Sequence, residues 1–189
     1  MTDDSAHFQS IPWVAQLLRD DSFVTTPFRS RIVKSSTEDS LYSTTINSPS
    51  TISATLTQYR RAPPSRKPLS PSAIPTDELR IFVTLGSDLN GYPGVLHGGM
   101  VATLLDEAMG YILSLNITTG EFGQVGPVTA YLNIKFVRPV ITPGTVVVSG
   151  KIAEVKDNKK WKINGDIRDK DGTVLAEAEC LYIQTRSKL

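Results

Sequence analysis

A histidine followed by two glycines, an aspartate nine residues beyond it, and a later threonine are the residues whose types and spacing could do chemistry here. The run Gly94-Val95-Leu96-His97-Gly98-Gly99 ends a turn-rich stretch and opens an apolar periodic segment, so it marks the start of a helix. The first N–H groups of a helix have no internal partner, and the helix dipole adds positive charge there. Glycines let a ligand approach that backbone closely. An electrophilic carbonyl held at Gly98 would be polarised, and an oxyanion developing on it would be stabilised. Paired glycines equally serve a tight strand-to-helix turn, and the glycines alone do not separate the two uses.

Asp106 adds the second group. It lies inside the predicted helix, and its helical neighbours Gly99, Ala102, Thr103 and Gly110 are all small. They leave a groove beside the carboxylate. A carboxylate in a groove can act as a general base toward water or attack a carbonyl itself. An isolated helical aspartate is otherwise a surface group paired with lysine. Along the axis Asp106 stands about 12 Å from Gly98, at about 1.5 Å per residue. One carboxylate cannot comfortably reach a carbonyl held at the start of its own helix. If both act on one substrate, the aspartate must come from a second copy, under the twofold symmetry usual for homodimers. A dimer or a dimer of dimers is therefore expected.

The elements that must position these groups follow from periodicity. His97 to Leu115 is the one long helix, with Val101, Leu104, Leu105, Ala108 and Ile112 as its apolar stripe. Strands are expected at Thr51–Arg61 and Glu78–Leu85, before the helix. After it come Val128–Phe136, with strict alternation, then Thr145–Val155, Trp161–Asp169 and Thr173–Gln184. Asp157-Asn158-Lys159-Lys160 and Asp171-Gly172 are hairpin signals. Residues 60–75 form a proline-rich loop, and 116–126 a connecting loop. The expected fold is α+β, a long helix wrapped by a curved antiparallel sheet of five to six strands. The domain reading is residues 1–37 as an N-terminal extension with one short helix (Ile11 to Leu18), 38–186 as the main domain, and 187–189 as a tail.

The chain has 189 residues, enough for one domain with a real core. Its net charge of +1 gives no strong field for nucleic acid. With one cysteine, Cys180, and two histidines, His7 and His97, it offers no disulfide, no multi-histidine centre and no metal site. No run approaches the roughly 20 apolar residues of a membrane span. The acidic start, Met1-Thr2-Asp3-Asp4, does not resemble a secretory or mitochondrial leader. Ser187-Lys188-Leu189 reads as a peroxisomal address, with the import receptor as a partner; the alternatives are cytoplasm or mitochondrion.

The run from Gly94 to Gly99, with Asp106 and Gly110 after it, resembles the hotdog-fold acyl-CoA thioesterases of the phenylacetate-pathway and mammalian thioesterase-superfamily type. The similarity continues through Val128-Thr129-Ala130-Tyr131-Leu132-Asn133-Ile134-Lys135-Phe136-Val137-Arg138-Pro139 and spans about Leu79 to Tyr182. It implies hydrolysis of acyl-CoA to CoA and a carboxylic acid, without a cofactor. In that frame the Gly98 N–H polarises the thioester carbonyl, and Asp106 of a partner chain activates water or attacks. Thr129 positions the water and the aspartate. His97, Gly99, Asn90 and Arg138 are candidate substrate-binding residues. Arg60, Arg61, Arg66, Lys67, Lys135, Lys159 and Lys160 are further candidates for the CoA phosphates. Two departures stand out. Some relatives carry an asparagine six residues before the histidine, where this chain has Gly91 and Asn90 lies next to it. Thr129 also has the wrong strand parity to share a face with Val128, Ala130 and Leu132, so it must sit near the strand end or at a dimer seam to meet Asp106. A hotdog enoyl-CoA hydratase or dehydratase and a non-catalytic acyl-CoA binder are the alternative functions.

Overall fold

A computed structural model describes residues 4–61, 76–116 and 126–184. Most of the proline-rich loop, most of the 116–126 loop and the tail Ser187-Lys188-Leu189 lie outside the described residues. In chain order the elements are α1 (Ser5–Gln9), α2 (Pro12–Leu18), β1 (Phe23–Thr26), β2 (Ile52–Arg61), β3 (Thr76–Leu85), β4 (Asn90–Tyr92), β5 (Val95–Leu96), α3 (Gly98–Asn116), β6 (Val128–Phe136), β7 (Gly144–Lys156), β8 (Lys160–Arg168) and β9 (Val174–Ile183). Seven strands form one antiparallel sheet in the order β1-β2-β3-β7-β8-β9-β6, and β4 and β5 make a separate short hairpin.

The central helix α3 lies on one face of this sheet, the hotdog arrangement that the sequence resemblance implied. Leu105, Ala108, Met109 and Ile112 are fully buried against a sheet face that includes Leu79, Val148, Ile163 and Cys180. The helix comes close because two glycines face each other across β7 and β8. A Cβ on Gly150 would stand 3.2 Å from the Ala108 carbonyl oxygen, and one on Gly165 would stand 2.9 Å from the Ser149 carbonyl oxygen and 3.0 Å from Met109 Sδ.

The N-terminal extension does more than its sequence suggested. It carries two short helices rather than one. Phe8 of α1 and Val14 of α2 pack on Ala54, Leu56, Phe82 and Val147, covering the sheet face opposite α3. Its β-branched run Phe23–Thr26 pairs with β2, which raises the main sheet from the expected five or six strands to seven. The stretch that follows covers α3 from outside. Phe28 packs edge-on to Tyr42 and Tyr111, at 5.6 and 5.2 Å between ring centres, and the Tyr42 hydroxyl donates to the Thr103 carbonyl at 3.0 Å. Tyr111 and Leu115 are therefore buried as well as the sheet-facing stripe.

Candidate active site

The helix start is assembled by the short hairpin before it. The β4–β5 hairpin delivers the chain to His97, whose N–H donates to the Leu89 carbonyl at 2.9 Å. The imidazole Nδ1 then accepts the Gly99 N–H at 2.9 Å, so His97 caps the helix with its own ring and carries its proton on Nε2. This takes the Gly99 amide out of the ligand-binding set. Among the described residues the Gly98 N–H has no acceptor, and it remains exposed at the positive end of α3. Asn90 is engaged too: its side-chain carbonyl accepts the Thr142 hydroxyl, which ties the hairpin to the turn before β7.

An apolar cavity of about 300 Å³ opens at Gly98, lined by Val95, Val101, Phe136, Val140 and Leu175, with Arg138 at its wall. The Phe136 ring lies 3.6 Å from where a Cβ on Gly98 would sit. A carbonyl on an extended apolar ligand could therefore meet the Gly98 amide. Arg138 is the candidate cation next to this cavity. Arg60 is at the other side of the sheet, 3.7 Å from Glu78 and 4.7 Å above the Phe23 ring, and Lys135 faces Glu177 at 3.5 Å. Arg66 and Lys67 lie outside the described residues.

Asp106 is brought to Thr129, not to Gly98. Thr129 Oγ1 donates to Asp106 Oδ1 at 3.1 Å within one chain. The parity problem disappears because β6 bulges: Thr129 pairs with Tyr182 while Tyr131 pairs with the adjacent Leu181. The extra residue, Ala130, turns Thr129 back to the helix side of the sheet. Asp106 does not line the cavity at Gly98.

Two neighbours escaped the sequence reading. Tyr182, buried on β9, places its hydroxyl 3.2 Å from Asp106 Oδ1 and 2.9 Å from the Asp106 carbonyl oxygen. Burial above all, then the adjacent Asp106 charge, holds this phenol far above its usual range, so it stays a donor. Glu107 lies on the side of α3 covered by the N-terminal segment and accepts Ser30 Oγ at 2.5 Å. Burial, opposed by that hydrogen bond and reinforced by the Asp39 and Asp106 charges, pushes its carboxyl up to about 7. Its tie to Ser30 sets it apart from the Thr129 side, where Asp106 stands.

Known proteins share the sequence pattern and the fold of this region. The profile of the thioesterase superfamily matches residues 93–176, a span that holds the helix start, Asp106, Thr129 and Arg138. Residues 93–176 are thus similar to the thioesterase superfamily, within a hotdog fold. A bovine acyl-coenzyme A thioesterase, THEM4 (Bos taurus), is 35% identical over 100 residues, covering 52% of this chain and 38% of the relative. The chain thus spans about two-fifths of that relative's length. Verlamelin biosynthesis protein B from Lecanicillium sp is 24% identical over 200 residues, covering 94% of this chain and 86% of its own. The crystal structure of zebrafish thioesterase superfamily member 2 has the same fold, with a TM-score of 0.51 at 16% identity over 62% of this chain and 79% of that one. Among the described residues no helix is long and apolar enough to cross a membrane.

Proposed function

We propose that the chain hydrolyses acyl-CoA thioesters at a site shared between two copies. The observation that carries this is the pairing of an unengaged Gly98 amide over an apolar cavity with a carboxylate held by Thr129 some distance away. The thioester carbonyl oxygen is held by the Gly98 N–H of one chain. Asp106 of the other chain takes a proton from water as the water oxygen bonds to the carbonyl carbon. The tetrahedral intermediate collapses, the C–S bond breaks, and the CoA thiolate leaves and is protonated. Direct attack by Asp106, with an anhydride then opened by water, gives the same products.

The edge strand β6 supports the shared site. Among the described residues its outer edge has no partner strand, and Tyr131 and Phe136 are exposed on it. Thr129 marks one end of β6 and Phe136, beside Gly98, the other. Antiparallel pairing of β6 with its twin, centred between Leu132 and Asn133, would set Thr129 beside the partner subunit's Phe136 and so Asp106 beside the partner subunit's Gly98. The names of the acyl-coenzyme A thioesterase relatives and the Arg138 at the cavity wall favour acyl-CoA as substrate. The role of His97 as a cap on Nδ1 argues against its use as the acid–base group of a hydratase. Ser187-Lys188-Leu189 is proposed as the peroxisomal address.

The test is thiol release from a panel of acyl-CoA esters. Turnover should appear on at least one, and Asp106→Asn should lower it by about 100-fold or more. Full activity in that variant, or no turnover on any ester, would sink the assignment.

A further inference from the structure

We infer that Tyr182 is a positioning residue for Asp106, which it holds so that one named oxygen, Oδ2, faces the reacting water. This rests on the hydrolase reading above. Both side-chain donors, Thr129 Oγ1 at 3.1 Å and the Tyr182 hydroxyl at 3.2 Å, reach the same carboxylate oxygen, Oδ1. Among the described residues Oδ2 has no donor. Two hydrogen bonds on one oxygen fix the torsion of a short side chain and leave the lone pairs of the other oxygen for water. A base held this way loses no rotational freedom when it takes the proton.

The surroundings are built for this contact. The single Tyr182 hydroxyl hydrogen is shared between Asp106 Oδ1 and the Asp106 carbonyl oxygen at 2.9 Å, a bifurcated bond that registers on the helix backbone as well as on the side chain. Gly110, one turn further along α3, leaves room for the phenol: a Cβ there would already touch the Tyr182 hydroxyl at 3.4 Å. The ring is 4% exposed and belongs to the main core, so β9 sets the hydroxyl as firmly as it sets the sheet. The β6 bulge places Thr129 directly across from Tyr182, and the two donors thus come from paired positions on neighbouring strands. Burial keeps the phenol protonated and donating over the whole working pH range.

The test compares Tyr182→Phe, Thr129→Val and the double variant on the best acyl-CoA ester. Tyr182→Phe keeps the ring and the packing. Its kcat should fall about 10-fold or more with KM nearly unchanged, because Asp106 belongs to the reacting centre and not to the ester's binding contacts. Together the two substitutions should change kcat by an amount that departs from the product of the single effects, since they share one acceptor oxygen. Incorporating 4-aminophenylalanine at position 182 returns an N–H donor and should recover much of the lost kcat. An unchanged kcat in Tyr182→Phe, or a loss confined to KM, overturns the inference. Wild-type turnover on the panel separates this outcome from failure of the hydrolase reading. If no ester turns over, a thermal double-mutant cycle of Asp106→Ala with Tyr182→Phe still decides. Tm losses that fail to add support the contact, and strictly additive losses overturn it.

Discussion

Replacing Glu107 by glutamine should make the protein more stable at pH 8 and no more stable at pH 5. The carboxyl is buried beneath the N-terminal segment, and burial lifts it from 4.5 to about 7. Between those values the folded chain holds a proton that the unfolded chain has released. Stability is therefore fully present below pH 4.5 and falls as pH rises through the folded value near 7. At about 1.4 kcal/mol per pH unit, that interval amounts to on the order of 3 kcal/mol. Glutamine cannot ionise, yet its side-chain carbonyl can still accept Ser30 Oγ, so the variant keeps the hydrogen bond and sheds the pH dependence. For a chain of this size the gain at pH 8 corresponds to roughly 5–10 °C in Tm. The assay is thermal unfolding followed by circular dichroism from pH 4.5 to 8, at fixed protomer concentration. The wild-type curve should slope downward relative to the variant across that range, and the two should meet near its acidic end. Parallel curves, or a variant less stable at pH 8, would refute the argument that a buried ionising Glu107 opposes folding.

Two further substitutions test the scaffold. His97→Ala removes the acceptor for the Gly99 N–H and should cost about 1 kcal/mol of stability by denaturant titration, with His97→Asn recovering most of it. Gly165→Ala places a Cβ against the Ser149 carbonyl and Met109 at the closest approach of α3 to the sheet, and should cost about 1–3 kcal/mol in the same titration.

The central helix and its stripe were legible because burial against one sheet face imposes a 3.6-residue period on Val101, Leu104, Leu105, Ala108 and Ile112. The later strands were legible because the alternation of Val128 to Phe136, together with two hairpin signals, is a local property. The strand Phe23–Thr26 was not, since four residues in an extension carry too little pattern to show that a sheet edge awaits them. Thr129 shows how a bulge hides the face of a strand residue. Its alternation placed it on the outer face, and only the bulge at Ala130, which no residue type signals, turns it inward. Tyr182 carries no such signal, because its partner Asp106 is 76 residues earlier and pairing across the core leaves no local trace. Glu107 carries no local signal that sets it apart from a solvated helix residue. Its burial comes from Ser30 and Tyr42, in a segment whose docking on the helix cannot be seen in the chain order.

The most direct measurement on the two-chain site mixes two inactive proteins. Gly98→Pro removes the amide donor at a helix position that tolerates proline, and Asp106→Ala removes the acid. Each alone should be nearly inactive. After joint refolding, half the dimers should be mixed, and each mixed dimer should hold one site with both groups intact, so thiol release should return to about one quarter of the wild-type rate. No recovery despite demonstrated formation of mixed dimers would place both groups in one chain and contradict the account.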